Sequence, residues 1–306
     1  MKKYNAITLG EALIDYIPLN HEVCGEYKAA VGGAPLNVAV GLSRLTNNIG
    51  MIARVGADPL GKEIIATLEK KGIDCSFVQI DQKRHTPVTI VLPNASDMVR
   101  YIIYRDNTAD NGLDMNEIPV SLFSDTYIFH VGTLLSATKE TERTVLEALQ
   151  LAKEGGAKIS LDVNLRVGCW NSGDEMIRAT RVLIEQADII KATKTELEVL
   201  GLNLEQYVPH GKVFLVTDGS REAYAYWKHH VISQAVPQVT AVDVTGAGDA
   251  FMSAFLFKYI EYMKAGEELD EVRLSKCLAV GVKAGSHAVQ TYGAHESYPA
   301  KEELLK

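Results

Sequence analysis

The chain has 306 residues, room for one large α/β domain or two smaller ones, and its 47% hydrophobic and 23% charged composition is that of an ordinary globular protein. A formal net charge of −8 leaves no basic excess to meet phosphates, which argues against nucleic acid and anionic membrane surfaces as partners. Cys24, Cys75, Cys169 and Cys277 are far apart and form no CxxC pair, so the pattern disfavours zinc and a disulfide framework and fits a reducing cytoplasm. The start of the chain runs into a strand with no hydrophobic signal region, and no apolar run approaches membrane-spanning length.

In chain order, Ala6 to Leu9 read as a short buried strand ending at Gly10-Glu11, and Ala12 to Pro18 as an extended segment carrying Asp15. Val23 to Val31 alternate loosely, as an edge strand does. At Gly32-Gly33-Ala34-Pro35 a helix begins, with Val38, Leu42 and Leu45 on its buried side. Strand Ile49 to Val55, helix Leu60 to Lys71 and strand Cys75 to Ile80 continue a β-α-β rhythm that predicts a mostly parallel sheet. Pro87 to Leu92 and Arg100 to Tyr104, joined by turn chemistry over Pro93 to Asp97, form an inserted hairpin. With the strands around Ala12 to Val31, it predicts a small second sheet, either a flap beside a ligand site or a decoration.

From Asp125 the alternation resumes: strands at Thr126 to Val131, Lys158 to Val163, Asp188 to Ala192 and Lys212 to Thr217, with helices between them, the first over Lys139 to Glu154. Ala223 to Trp227 and His230 to Val236 read as an antiparallel pair at the sheet edge, and Leu274 to Val289 as a late helix. No repeat or linker marks a second domain. The expectation is a single doubly wound α/β domain over residues 1–306, with a β lid built from about 12–31 and 86–106.

The chemistry concentrates at Asp243-Val244-Thr245-Gly246-Ala247-Gly248-Asp249-Ala250-Phe251. Thr245 reads as an N-cap, the glycines leave the backbone bare, and Phe251, Ala254, Phe255 and Tyr259 mark one apolar side of a helix. The first amides of such a helix form an anion site, and Asp249 beside it suits a general base. An ordinary capped helix whose Asp satisfies the dipole explains the same string. Gly56 to Lys62 nearly matches a P-loop, but Glu63 stands where Ser or Thr would hold Mg²⁺, so it reads as a simple strand–turn–helix connection. Gly32-Gly33 does not fit the dinucleotide fingerprint.

Read together, "GGAPLNVAVGLSRL" at Gly32 to Leu45 and "DVTGAGDAFMSAFL" at Asp243 to Leu256 resemble the two signatures of ribokinase-like (PfkB) carbohydrate kinases. "GEALIDYIP", "RVGADPLGKEI", "LDVNLRVGCW" and "LVTDGS" extend the resemblance over essentially the whole chain. It implies a ribokinase-like fold and phosphorylation of a primary sugar hydroxyl by ATP. Asp249 would be the base, and the amides of Gly246, Ala247 and Gly248 the anion hole for the γ-phosphate. Asp15, Gly32, Gly33 and Asn37 would hold the sugar, with Arg105 and Arg166 facing the substrate or the transferred phosphate. Asn164, Lys191, Thr217, Gly219 and Gly248 match the nucleotide side. Mg²⁺ would arrive with ATP and meet Glu196 through water. A monovalent cation, K⁺ in kind, would sit near Asp243 and Thr245, close to carbonyls between Val289 and Gly293.

Two positions depart from the family pattern. Thr193 replaces an Asn in the motif that contains Glu196, which leaves the role of Thr193 open, and Val163 replaces a Pro with consequences only for backbone stiffness. Among branches, the chain is most similar to bacterial fructokinases. A ketodeoxygluconate kinase, sharing the Asn164, Arg166 and Trp170 pattern, and an aminoimidazole riboside kinase are the alternatives. A non-catalytic sugar sensor would have lost Asp249 or the glycine pair; both are present. The exposed lid edge predicts a lid-to-lid homodimer.

Overall fold

The computed structural model describes residues 2–93 and 101–304. In chain order its first elements are β1 (Tyr4–Leu9), β2 (Leu13–Pro18), β3 (Tyr27–Gly32), α1 (Ala34–Leu45), β4 (Ile49–Gly56), α2 (Pro59–Lys70), β5 (Val78–Asp81), β6 (Val88–Val91) and β7 (Tyr101–Tyr104). They are followed by α3 (Ser121–Ser124), β8 (Thr126–Gly132), α4 (Lys139–Glu154), β9 (Lys158–Asp162), α5 (Gly173–Gln186), β10 (Ile189–Thr193), α6 (Lys194–Leu200) and β11 (Val213–Thr217). The chain closes with β12 (Glu222–Trp227), β13 (His230–Ala235), α7 (Ala247–Lys264), α8 (Glu271–Ala288), α9 (Ala294–Ser297) and α10 (Lys301–Leu304).

Among the described residues, nine strands form one sheet in the order β13-β12-β11-β10-β9-β8-β1-β4-β5. From β11 to β5 every neighbouring pair is parallel, and β12 and β13 add an antiparallel edge. The parallel strands alternate between two cores, as a period of two requires. Ala6, Met51, Ala53 and Ile128 face one layer with α1, α7 and α8, while Ile7, Leu9, Ile52, Phe129 and Val131 face the other with α4 and α5. Each fully buried Leu, Ile or Phe contributes about 1.5–3 kcal/mol relative to exposure. Strand order reverses at β1, flanked by β4 and β8, and the crevice at the carboxyl ends of these strands is where doubly wound sheets bind ligands.

A second sheet of four strands runs β3-β2-β6-β7, with β2 parallel to β6 and the outer pairs antiparallel. The anticipated hairpin is therefore present as β6 and β7, while its turn, Asn94 to Asp97, lies outside the described residues. The edge strand anticipated from Val23 begins only at Tyr27, after a turn in which Gly25 donates to the Glu22 carbonyl.

Helix α7 departs from the one-sided stripe expected of it: residues 249–257 are buried in an unbroken run. It is wedged between α1 and α8, and small residues make the crossings close. A Cβ at Gly41 of α1 would lie 2.2 Å from Ser253 Oγ of α7, and one at Gly281 of α8 would lie 3.1 Å from the Phe251 carbonyl. Gly41 lies one turn beyond Asn37, and Ser253 one turn beyond Asp249. The close crossing therefore holds Asn37 against Asp249.

Candidate active site

Helix α7 starts at Gly246, whose φ of 76° turns the chain into the helix, and no side chain caps it. Thr245 is therefore not the N-cap that its residue type suggests; the left-handed turn needs glycine, and Thr245 is left one step outside. A Cβ at Gly246 would also meet Ala294 Cβ and Tyr298 Oη, each at 2.7 Å. Ala247 gives its amide to the Val244 carbonyl at 3.3 Å, and the first intrahelical bond is Ala250 N to Gly246 O. The amides of Gly248 and Asp249 thus have no partner inside the helix and lie at its positive dipole end.

Asp249 is buried, and its Oδ2 accepts a 2.8 Å hydrogen bond from Asn37 Nδ2. Burial pushes its carboxyl up to about 7, helped by the nearby charge of Asp162 and opposed by the Asn37 donor, Lys191 and Arg166. A carboxylate with proton affinity near neutrality is matched to accepting a proton from a hydroxyl.

Asp249 closes a polar pocket shared with Glu11, Asp15, Gly33, Asn37, Thr89, Leu134, Arg166, Thr245 and Gly246, capped from the small sheet by Leu13, Tyr101 and Ile103. Asp15 sits in β2, where burial raises it to about 6 against the opposing charge of Arg166. Its Oδ2 occupies the space a Cβ would take at Gly32, only 2.0 Å away, so Gly32 is required for that approach. Gly33, at φ 115°, is the N-cap of α1. Glu11 supplies the cap from outside that helix: its Oε1 accepts from Ala34 N at 3.0 Å, and its Oε2 is buried with no hydrogen-bond partner.

Arg166 lines the pocket, stacked on Tyr101 with its guanidinium 4.7 Å from the ring centroid and donating to Asn164 Oδ1. Arg105 takes a different position. It is buried in an ion pair with Asp110 and donates to the Leu134 carbonyl at 2.9 Å, behind the residue that lines the pocket.

The anticipated nucleotide-side residues lie along the carboxyl ends of the neighbouring strands. Lys191 of β10 is buried and bonds both carboxylate oxygens of Asp162, at 2.9 and 3.1 Å. Burial opposes its charge, but Asp162, Glu196 and Asp249 together hold it above the ordinary amine value. Its Nζ lies 2.6 Å from where a Gly248 Cβ would stand, directly under the first turn of α7. Asn164 adopts φ 36°, a left-handed bend that Asn tolerates better than most residues. The bend aims Leu165 N at Glu196 Oε1, 2.7 Å away. Thr217 ends β11 and Gly219, at φ 59°, turns the chain toward β12.

Glu196 and Thr193 explain the departure noted in the sequence. They form a reciprocal capping box at α6: Thr193 Oγ1 accepts from Glu196 N, and Glu196 Oε2 accepts from Thr193 N. Asp243 Oδ1 accepts from Thr245 N and its Oδ2 from Gly293 N, while Val242 N and Asp243 N both reach the Val289 carbonyl. The two segments named for a monovalent cation are thus joined. The P-loop look-alike is filled by its own side chain: Asp58 accepts from Gly61 N and from both the amide and hydroxyl of Thr86. Among the described residues no group of three or more His, Cys, Asp or Glu side chains is arranged to hold a metal ion, and no helix is long and apolar enough to cross a membrane.

Residues 3–301 match the model of the pfkB family carbohydrate kinases. The chain is 31% identical over 311 residues to a probable fructokinase-3 of Arabidopsis thaliana, covering 98% of this chain and 90% of that one. An uncharacterised sugar kinase of Pyrococcus horikoshii in complex with ATP superposes with a TM-score of 0.85 at 31% identity, over 98% of this chain and 97% of that one. A fructokinase of Xylella fastidiosa with bound ATP gives a TM-score of 0.87 at 25% identity, over 100% and 98%. The chain belongs to the pfkB family of carbohydrate kinases.

Proposed function

We propose that the chain is an ATP-dependent fructokinase that transfers the γ-phosphoryl group of ATP to the primary 6-hydroxyl of fructose. The observation that carries this is Asp249, a buried carboxyl raised to about 7, joining the open first turn of α7 to a polar pocket. The names of its relatives supply the sugar.

In this reading the sugar lies under the small sheet, its hydroxyls paired with Asp15, Asn37 and the backbone at Gly32-Gly33. Asp249 accepts the proton of the hydroxyl as that oxygen bonds to the γ-phosphorus and the bond to ADP breaks. The charge gathering on the transferred group meets the amides of Gly248 and Asp249 and the ammonium of Lys191. Phosphoryl transfer needs positioning and charge stabilisation more than covalent help, and these groups provide both. Arg166 neutralises the same group from the sugar side, and Arg105 fixes the wall of the pocket through Leu134. Asn164, Thr217 and Gly219 line the nucleotide path.

Mg²⁺ would enter with the nucleotide. Glu196 has one lone pair of Oε1 left after its three hydrogen bonds from Leu165 and Thr193, enough to orient a metal-bound water and no more. Asp243 and Thr245 would hold K⁺ at the joined loops. ATP use and four free cysteines, including exposed Cys24, support a reducing cytoplasm. The small sheet acts as the lid of a single domain, and the exposed Ile102 and Tyr104 on its β7 edge are the surface through which a homodimer would form, measurable by light scattering.

Fructose is preferred to ketodeoxygluconate because the pocket gathers three carboxyl groups, Glu11, Asp15 and Asp249, against the guanidinium of Arg166, which this reading assigns to the transferred phosphoryl group. A substrate carboxylate would face that excess of acid. The test is an ATP-coupled assay over fructose, ketodeoxygluconate, ribose, adenosine and aminoimidazole riboside. Fructose should have the highest kcat/KM; turnover confined to the sugar acid would reverse the assignment.

A further inference from the structure

Beyond the phosphoryl-transfer groups, the short helix α9 closes over the first turn of α7. His295 of α9 is buried and lies far from any pocket-lining position in sequence. Its Nε2 is 2.9 Å from Oδ1 of Asn37, whose Nδ2 in turn donates to Asp249 Oδ2 at 2.8 Å. We propose that His295 is a positioning residue for the phosphoryl transfer: it locks the Asn37 amide in the one orientation that offers its NH₂ to Asp249. The inference rests on the reading of Asp249 as the base.

Donor count decides the orientation. An amide turned the other way would aim Oδ1 at the Asp249 carboxylate and NH₂ at the imidazole N–H, two repulsions in place of two hydrogen bonds. The lock therefore requires His295 to carry its proton on Nε2 and to stay neutral. Burial provides the second condition, lowering its pKa to about 4 against the raising effect of Glu296, with Lys71 adding to the lowering. Around the triad the remaining charged or titratable groups are Asp162, Lys191 and Arg166 on the Asp249 side, and Tyr298, whose ring packs 6.4 Å from the imidazole. Arg44 reaches the His295 carbonyl, not its ring. Without His295 the buried Asn37 Oδ1 has lost its donor, and one of the two interactions that hold the amide in front of the base is gone.

The test compares His295→Leu, which keeps bulk and removes the donor, with His295→Gln, whose Nε2 can replace the imidazole N–H. In fully folded protein, His295→Leu should lower kcat about fivefold, the worth of one net hydrogen bond. It should also move the acid limb of kcat/KM up by about half a pH unit, because Asp249 loses part of its donor. His295→Gln should restore both. Unchanged kcat and pH limb in His295→Leu, alongside an inactive Asp249→Asn, would overturn the lock and leave the base intact. A loss of kcat that tracks a loss of thermal stability and is not rescued by Gln would reduce His295 to packing and equally overturn it. Full activity in Asp249→Asn would remove the base and the lock together.

Discussion

Two buried carboxylates stand within reach of one another in this molecule, and their partners separate their jobs. Asp162 ends β9 bonded through both oxygens to the Lys191 ammonium. Asp249 opens α7 bonded to a neutral amide. An ion pair satisfies the charge of Asp162 and ties β9 to β10. The neutral amide orients Asp249 and lowers its proton affinity only in part, so burial and the Asp162 charge still hold it near neutrality. Burial alone does not tell the two apart, since it raises both carboxyls; the charge of the nearest partner does.

The comparison can be broken most sharply by Asp249→Asn. Turnover should fall by a factor of about 100 to 10,000, the range of general-base catalysis, while the Kd for fructose in calorimetry changes little. Retention of more than a few per cent of turnover would remove the distinction. Next in size, Lys191→Met strands Asp162 as an unpaired buried charge. Urea unfolding should then report a loss of about 3–5 kcal/mol, a penalty that Asp249→Asn should not share. Gly41→Val probes the crossing that keeps Asn37 on Asp249. Its branched side chain must displace Ser253 at a cost of about 1–3 kcal/mol, and kcat should fall with Tm; an unaltered enzyme would mean that the helices part freely.

The last effect has an unusual sign. Folding raises the Asp249 carboxyl from its ordinary 3.8 to about 7, so ionising it in the folded state costs stability. That cost grows as pH rises from about 4 to 7 and is constant above. Asp249→Asn should therefore raise Tm by a few degrees at pH 8, with the gain gone near pH 4. An equal Tm for the two proteins across that range would contradict the burial argument.

Much of the fold was legible because the parallel strands are buried on both faces and read as mostly apolar runs, as in Val213 to Val216 and in Tyr127 to Val131, where only His130 interrupts. Helix α4 matched its expected limits because Thr138 caps it with a side chain and Gly155 ends it. The misreadings came where tertiary structure overrode local preference. The preference of threonine for helix caps misleads at α7, since a left-handed Gly246 does what Thr245 would do in an isolated helix. The apolar stripe of α7 widens to every side over residues 249–257 because α1 and α8 enclose that part of the helix. Arg105 is paired with Asp110, five positions on, a partner that no sequence pattern announces, and its Nη2 is left without a hydrogen-bond partner. Glu11 sits inside the GEALIDYIP segment without a spacing that assigns it a role, and His295 carries no motif; the bond from His295 to Asn37 spans 258 positions and exists only in the folded chain.

The most direct measurement is the pH dependence of kcat/KM for fructose with saturating ATP and magnesium. With Asp249 as the base, activity should start to fall on the acid side in a titration centred near pH 7, with Asp15 adding a second step near 6. A profile flat down to about pH 5, or one whose acid limb is centred near the ordinary carboxylate value, would contradict the account.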